Sequence, residues 1–305
     1  MYRDEKTERN DRFDRAELVI WVGFWVNAFL MVMKLAAGWF GKSEAVFADG
    51  LESMCDFFAI TSAMVALRMG RKRFDQEHPY GHGKAESFSA ILVGVLILLT
   101  GIGIVWKAAD AVLFHRLETP AFMAVMAAAV TIIVKEGLCR YTLRVAGNLG
   151  SPSVAAVAKD HRKDAITSIA TLVGVTGAYL GCKIMDPIAA AISAVIIIRI
   201  GWQTLHPAVG DLMDAALPPA LLTEISGIAA DVEGVAGVHE IRGRRSGQYV
   251  IVDLKLEMDA QMTVKESHTI ADQVKRQLFS KFPNIGDVMI HINPHAEEHE
   301  DLTRL

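Results

Sequence analysis

The chain has 305 residues, 52% of them hydrophobic and 22% charged, and a formal net charge of −4. Its mean hydropathy of +0.30 is high for a water-soluble domain, and the composition excludes a disordered or collagen-like chain. There is no basic excess to grip nucleic acid, so no nucleic-acid partner is expected.

The charge is unevenly spread. Of the 66 charged residues, 11 fall in residues 1–17 and 24 in residues 212–305, leaving 31 for the 194 residues between. This pattern predicts an N-terminal cytoplasmic arm (1–16), a membrane domain (17–208), a soluble C-terminal domain (209–295) and an acidic tail (296–305). The arm has no short apolar core followed by a cleavage site, so it does not read as a signal peptide. Six stretches are long and apolar enough to cross a bilayer, at roughly 18–41, 45–68, 88–113, 120–144, 152–182 and 187–206. The predicted class is therefore an α-helical integral membrane protein with six transmembrane helices. Ser151-Pro152-Ser153 and Asp186-Pro187 read as starts of the fifth and sixth helices. Arg71, Lys72, Arg73 and Lys84 follow the second span, and Arg140, Arg144, Lys159, Arg162 and Lys163 surround the fourth-to-fifth connection. The opposite loops hold only Lys42, Arg116 and Lys183. The positive-inside rule then places both termini in the cytoplasm, with the chain in the cytoplasmic (inner) membrane and in contact with membrane lipid.

Past residue 209 the pattern changes to a small cytoplasmic α/β unit. A helix near 220–232 precedes strands at Val238–Arg244 and Tyr249–Met258, turning at Ser246-Gly247. A helix at Val264–Phe279 and a strand at Val288–Ile292 complete an αββαβ, ferredoxin-like (metallochaperone-like) domain. Cys55, Cys139 and Cys182 form no disulfide framework and no Cys-x-x-Cys site. Cys55 reads as packing, and Gly101, Gly103, Gly174 and Gly177 as points of close helix approach.

Carboxylates inside a membrane are costly and mark function. Glu52 and Asp56 stand at i, i+4 on the second helix, with Asp49 one turn earlier; Asp160 and Asp164 stand at i, i+4 on the fifth, with His161 between them. Four such charges in a low-dielectric slot must bind a cation, take up protons or alternate between the two, which is the chemistry of a metal/proton exchanger. They would titrate as a coupled set. The alternative, pairing with Lys159, Arg162 and Lys163 at the membrane interface, accounts less well for two such pairs on separate spans. Lys34 and Lys135-Glu136 read as buried pairings or snorkelled stems. The loop string from Asp75 to Glu86 places Asp75, His78 and His82 within eight residues, with glycines allowing a tight backbone path. Imidazole plus carboxylate suits Zn²⁺, Fe²⁺ or Mn²⁺.

Three strings together resemble the cation diffusion facilitator family: Ala48-Asp49-Gly50-Leu51-Glu52-Ser53-Met54-Cys55-Asp56, Tyr80-Gly81-His82-Gly83-Lys84-Ala85-Glu86 and Asp160-His161-Arg162-Lys163-Asp164. The resemblance runs over about residues 15–295 and is nearest the bacterial zinc/ferrous-iron efflux branch. It implies a homodimeric exporter that moves a divalent metal out of the cytoplasm against protons, and no enzyme. It also implies a transport site of Glu52, Asp56, Asp160 and Asp164, with Asp49 and His161 supporting it. Asp160 departs from the zinc pattern, which has His there, and matches manganese members; the all-carboxylate site favours Mn²⁺ or Fe²⁺ ahead of Zn²⁺. The family's loop site maps to Asp75, His78 and His82. Its charge interlock, which would lock the membrane halves of the dimer, maps to Lys84 and Asp214. A tail metal site maps to His239, His268 and His291. There Lys255 and Asn293 replace expected ligands, so that site is expected to be altered. His295, Glu297 and His299 offer a weaker one. The rival readings are a membrane metal sensor or scaffold without transport, and an intramembrane metalloenzyme; no His-Glu-x-x-His or nucleotide loop supports the latter.

Overall fold

The structure, a computed structural model, describes residues 2–72, 74–114, 116–149 and 152–295. Ser151, Glu297, His299 and the acidic tail lie outside them. Six long helices come first: α1 (Tyr2–Phe40), α2 (Glu44–Gly70), α3 (Ala85–Leu113), α4 (Phe122–Leu149), α5 (Pro152–Tyr179) and α6 (Met185–Leu212). All but α5 carry a stretch apolar enough to cross a membrane. The first half of α5 is charged, with Lys159, Asp160, Arg162, Lys163 and Asp164 on consecutive turns. The N-terminal arm is not separate from the first span: α1 begins at Tyr2. Residues 2–22 hold no Gly or Pro and carry four Arg, three Glu, three Asp and one Lys, so no strong breaker stops the helix.

The chain divides into two compact units, Met1–Thr61 with Leu92–Thr204, and Ser62–Ile91 with Leu205–Leu305. The first is held by small residues. Ala45, Ala48 and Cys55 of α2 pack with Val93, Ile97, Ile104 and Ala108 of α3 and Ala189, Ala190, Ala194 and Ile197 of α6. A second cluster joins Ala37, Val46, Ala124, Ala127, Ala128 and Val175 from α1, α2, α4 and α5. Short side chains let backbones approach closely, which is how helices associate in lipid. A Cβ at Gly101, Gly174 or Gly177 would collide with Ile198, Ala189 or Met185, whereas Gly103 faces open space and serves no such contact. Asp186 does not cap its own helix. Its carboxylate accepts from Ser43 Oγ at 2.6 Å, Glu44 N at 2.6 Å and Ala45 N at 3.4 Å, so it satisfies the N-terminus of α2.

The second unit carries α7 (Pro219–Ala230), β1 (Gly237–Ser246), β2 (Tyr249–Met258), α8 (Val264–Lys281) and β3 (Ile285–Pro294). The sheet order is β1-β2-β3. β1 and β2 pair antiparallel through the turn at Gly247, which takes a positive φ of 61°. β2 and β3 pair parallel, with α8 as the crossover. Val250, Val252, Leu254, Leu256 and Met258 of β2 pack with Ile225 and Ala229 of α7 and Val274 and Leu278 of α8. A capping box between Thr263 and Glu266 starts α8. Within the same unit the hairpin turn lies on the α2–α3 loop: a Cβ at Gly83 would strike the Ser246 backbone.

Candidate metal centre

The i, i+4 spacing brings carboxylates from two helices to one cavity. A cavity of about 420 Å³ in the first unit is lined by Gly23, Phe24 and Asn27 of α1, Ser53 and Asp56 of α2, Lys135 of α4, and Asp160, His161, Lys163 and Asp164 of α5. Three of the four expected transport ligands therefore face one space. Glu52, half-buried one turn before Asp56, does not line it. The four do not converge to a closed coordination cage. Among the described residues, Asp75, His78 and His82 are the group whose ligand atoms lie within 4.8 Å of one another.

Two buried ammonium groups answer these carboxylates. Lys34 donates to Asp49 Oδ1 at 2.9 Å and to Ser53 Oγ at 2.6 Å, and Ser168 Oγ donates to Asp49 Oδ2 at 3.1 Å. Asp49 thus turns into a network joining α1, α2 and α5, of which Ser53 alone lines the cavity. Lys135 donates to Asp164 Oδ2 at 2.6 Å. Its sequence neighbour Glu136 pairs instead with Arg140 at 2.7 Å and Arg162 at 3.4 Å. Polarity within an apolar span flagged Lys135, but only the fold shows that it meets a candidate ligand. Asn27 is a residue that sequence reasoning missed. Its Oδ1 and the Nε2 of buried His161 have no hydrogen-bond partner among the described residues, and both residues line the cavity. A buried polar atom without a partner is costly to keep. His161 rests on Gly23, where a Cβ would come within 3.2 Å of Nε2.

The α2–α3 loop forms a tighter group. Asp75 accepts from the backbone N–H of His78 at 2.7 Å and of Glu77 at 3.1 Å, which folds the loop back on itself. His78 Nδ1 and His82 Nε2 each stand 3.5 Å from an Asp75 oxygen, and the two rings lie 4.4 Å apart. Gly81, at φ 80°, makes the turn between them. The His78 N–H foremost holds the Asp75 carboxyl below the usual carboxylate range. One carboxylate and two imidazoles are a donor set for a borderline divalent metal. In the same unit Lys84 donates to Asp214 Oδ1 at 2.7 Å. Asp214 ends α6 in the left-handed region, at φ 55°. Arg244 stands over the Tyr80 ring at 5.8 Å.

Among the described residues, His239, His268 and His291 form no group of three ligand atoms. His239 sits at a bulge in β1, where the register slips between Val238 and Glu240, and its Nδ1 lies 3.3 Å from Glu257 Oε1. His295 Nδ1 lies 2.8 Å from Glu257 Oε2. His268 lies 3.8 Å from Asp272, and His291 faces Lys255 across the β2–β3 ladder. Lys255 pairs with Glu240, which fits a salt bridge in place of a ligand.

Residues 20–213 match the family described as "Cation efflux transmembrane domain", and residues 217–295 the family described as "Cation efflux protein, cytoplasmic domain". The manganese efflux system protein MneP of Bacillus subtilis is 33% identical over 279 residues, covering 89% of this chain and 94% of that protein. Metal tolerance protein C1 of Arabidopsis thaliana is 33% identical over 313 residues, covering 95% of this chain and 66% of that protein. The magnetosome protein MamB of Magnetospira is 30% identical over 276 residues, covering 90% of this chain and 94% of that protein.

Proposed function

The chain belongs to the cation diffusion facilitator (cation efflux) family of membrane transporters, and from that premise we propose that it exports a divalent transition metal in exchange for protons. The cargo is Mn²⁺ or Fe²⁺ ahead of Zn²⁺, leaving the cytoplasm through the inner membrane. The observation that carries this reading is the convergence of Asp56, Asp160 and Asp164 on one cavity between α2 and α5. Carboxylate oxygens are hard donors and suit Mn²⁺ and Fe²⁺ better than an imidazole set does. Manganese is also the metal in the names of two relatives, MneP and MneS.

In the cycle, ionised Asp56, Asp160 and Asp164 take the cation on the cytoplasmic side, and Glu52 joins them as α2 and α5 close. Protonation of the carboxylates on the far side releases the metal, because a protonated carboxyl is a poor ligand. Asp49 supports the site through Lys34, Ser53 and Ser168, and His161 supports it from the cavity wall. Asp75, His78 and His82 bind a second, regulatory ion at the cytoplasmic edge. The protein works as a homodimer with cytoplasmic termini, and the Lys84–Asp214 pair stiffens the junction that the two membrane halves share.

The test is proton flux from proteoliposomes offered Mn²⁺, Fe²⁺ or Zn²⁺ separately, with Asp164→Ala as control. Flux with one or more metals, lost in the variant, supports exchange and names the cargo. Metal binding without flux for any of the three overturns export and leaves a sensor or scaffold.

A further inference from the structure

Among the described residues Lys135 is the one side chain of α4 in the cavity wall, and that side chain is only 4% exposed. Its ammonium spends its hydrogen bond on Asp164, at 2.6 Å, and not on the carboxylate next to it in sequence. An ammonium at that distance competes with a dication for Asp164, because it occupies one carboxylate oxygen and two cations on one carboxylate repel. A displaced Lys135 has somewhere to go. Asn27 Oδ1 and His161 Nε2 line the same cavity, are buried, and accept nothing among the described residues. An ammonium carries three donors and could satisfy both, with His161 in its Nδ1-protonated tautomer.

We propose that Lys135 is a tethered cation that competes with the cargo for Asp164, holding the carboxylate when cargo has left and moving to Asn27 and His161 when cargo loads. This rests on the export reading, in which Asp164 is a cargo ligand. Lys135 then does two things. It weakens metal binding enough to permit release. It also covers the charge of Asp164 on the return without cargo, beside the protons that the other carboxylates carry, so that the return step does not need metal.

The experiment uses the full-length protein with Lys135→Met, with Lys135→Gln as a second neutral variant and Lys135→Arg as the charge-keeping control. Mn²⁺ binding is measured by calorimetry in detergent. In proteoliposomes, net Mn²⁺ transport is measured beside exchange of labelled for unlabelled Mn²⁺ across the membrane. Removing a competitor that holds the site most of the time tightens apparent affinity about tenfold or more. The neutral variants should bind Mn²⁺ tighter by that amount, keep exchange and lose net transport, while Lys135→Arg stays near wild type in all three. Unchanged or weaker binding in neutral variants that melt like wild type overturns the proposal, as does an equal loss of exchange and net transport; Lys135 would then only position Asp164. Absence of flux in the wild type would sink the export reading, while the binding comparison would still decide the competition.

Discussion

Lys34 Nζ lies 2.9 Å from Asp49 Oδ1, and the two side chains keep only 2% and 6% of their surface exposed. With Ser53, which lines the cavity, and Ser168 they tie α1, α2 and α5 together. Removing one partner strands the other charge in an apolar interior, at a cost of about 3–5 kcal/mol, whereas replacing both by apolar residues of similar volume can be close to neutral. Lys34→Met should therefore melt well below wild type in detergent, and Lys34→Met with Asp49→Leu should recover most of the loss. If the double variant is no better than the single, the pair is not the unit of stability here.

Asp75 gives the loop its shape and a candidate metal its anionic ligand at once. Asn at that position keeps an oxygen to accept from the backbone N–H groups of Glu77 and His78, but carries no charge. Asp75→Asn should leave the fold and the cavity untouched and lower the metal content of the purified protein by one ion per chain, read by elemental analysis after dialysis against Mn²⁺ or Zn²⁺. Equal metal content in the two proteins would remove the loop from the list of metal sites.

Much of this was legible in the sequence because hydropathy and period are local. Six helices, the αββαβ order and the turn at Ser246-Gly247 follow from runs and alternation within ten to twenty residues. The i, i+4 spacing likewise put Asp160 and Asp164 on one face of α5 before any fold was known. What periodicity cannot supply is the partner across a helix interface. Asp186 caps a helix that begins 142 residues earlier, and Lys135 reaches past Glu136 to a carboxylate 29 residues on. The extension of α1 through the charged arm was hidden for another reason. Charge density read as a boundary, yet the arm's Arg and Glu are good helix formers and it holds no Gly or Pro to break a helix.

The Lys84–Asp214 pair sets a limit on where pH dependence can come from. The Lys84 hydrogen bond foremost holds the Asp214 carboxyl below the ordinary Asp range. A carboxyl lowered on folding stabilises above its unfolded value, near 4, and loses that contribution only as pH falls through the lowered value. Between roughly pH 5 and 8 the Asp214 carboxylate stays ionised and contributes no slope. Both side chains are nearly half exposed, so Asp214→Asn, which also tolerates the left-handed backbone, should cost less than about 1 kcal/mol. Transport by this variant should fall in amplitude while its pH profile over that range keeps the wild-type shape. A shifted profile would place a titrating group at the interlock.

Asp160 is the residue at which metal choice should turn. It lines the cavity with Asp56 and Asp164, so a change of donor there alters the coordination without moving the helices that frame it. Imidazole is a borderline ligand that suits Zn²⁺, whereas a carboxylate set suits Mn²⁺. Asp160→His also removes one negative charge from a site where Lys135 and Lys163 already stand, which weakens the hold on a hard cation most. The ratio of Zn²⁺ to Mn²⁺ flux should rise in Asp160→His by about tenfold or more, corresponding to a shift of some 1.4 kcal/mol between the two ions. Competition of each ion against labelled Mn²⁺ in proteoliposomes measures that ratio directly. A ratio unchanged by the substitution, in protein that still transports, would mean that Asp160 does not touch the cargo and that selection rests on Asp56 and Asp164 with their neighbours.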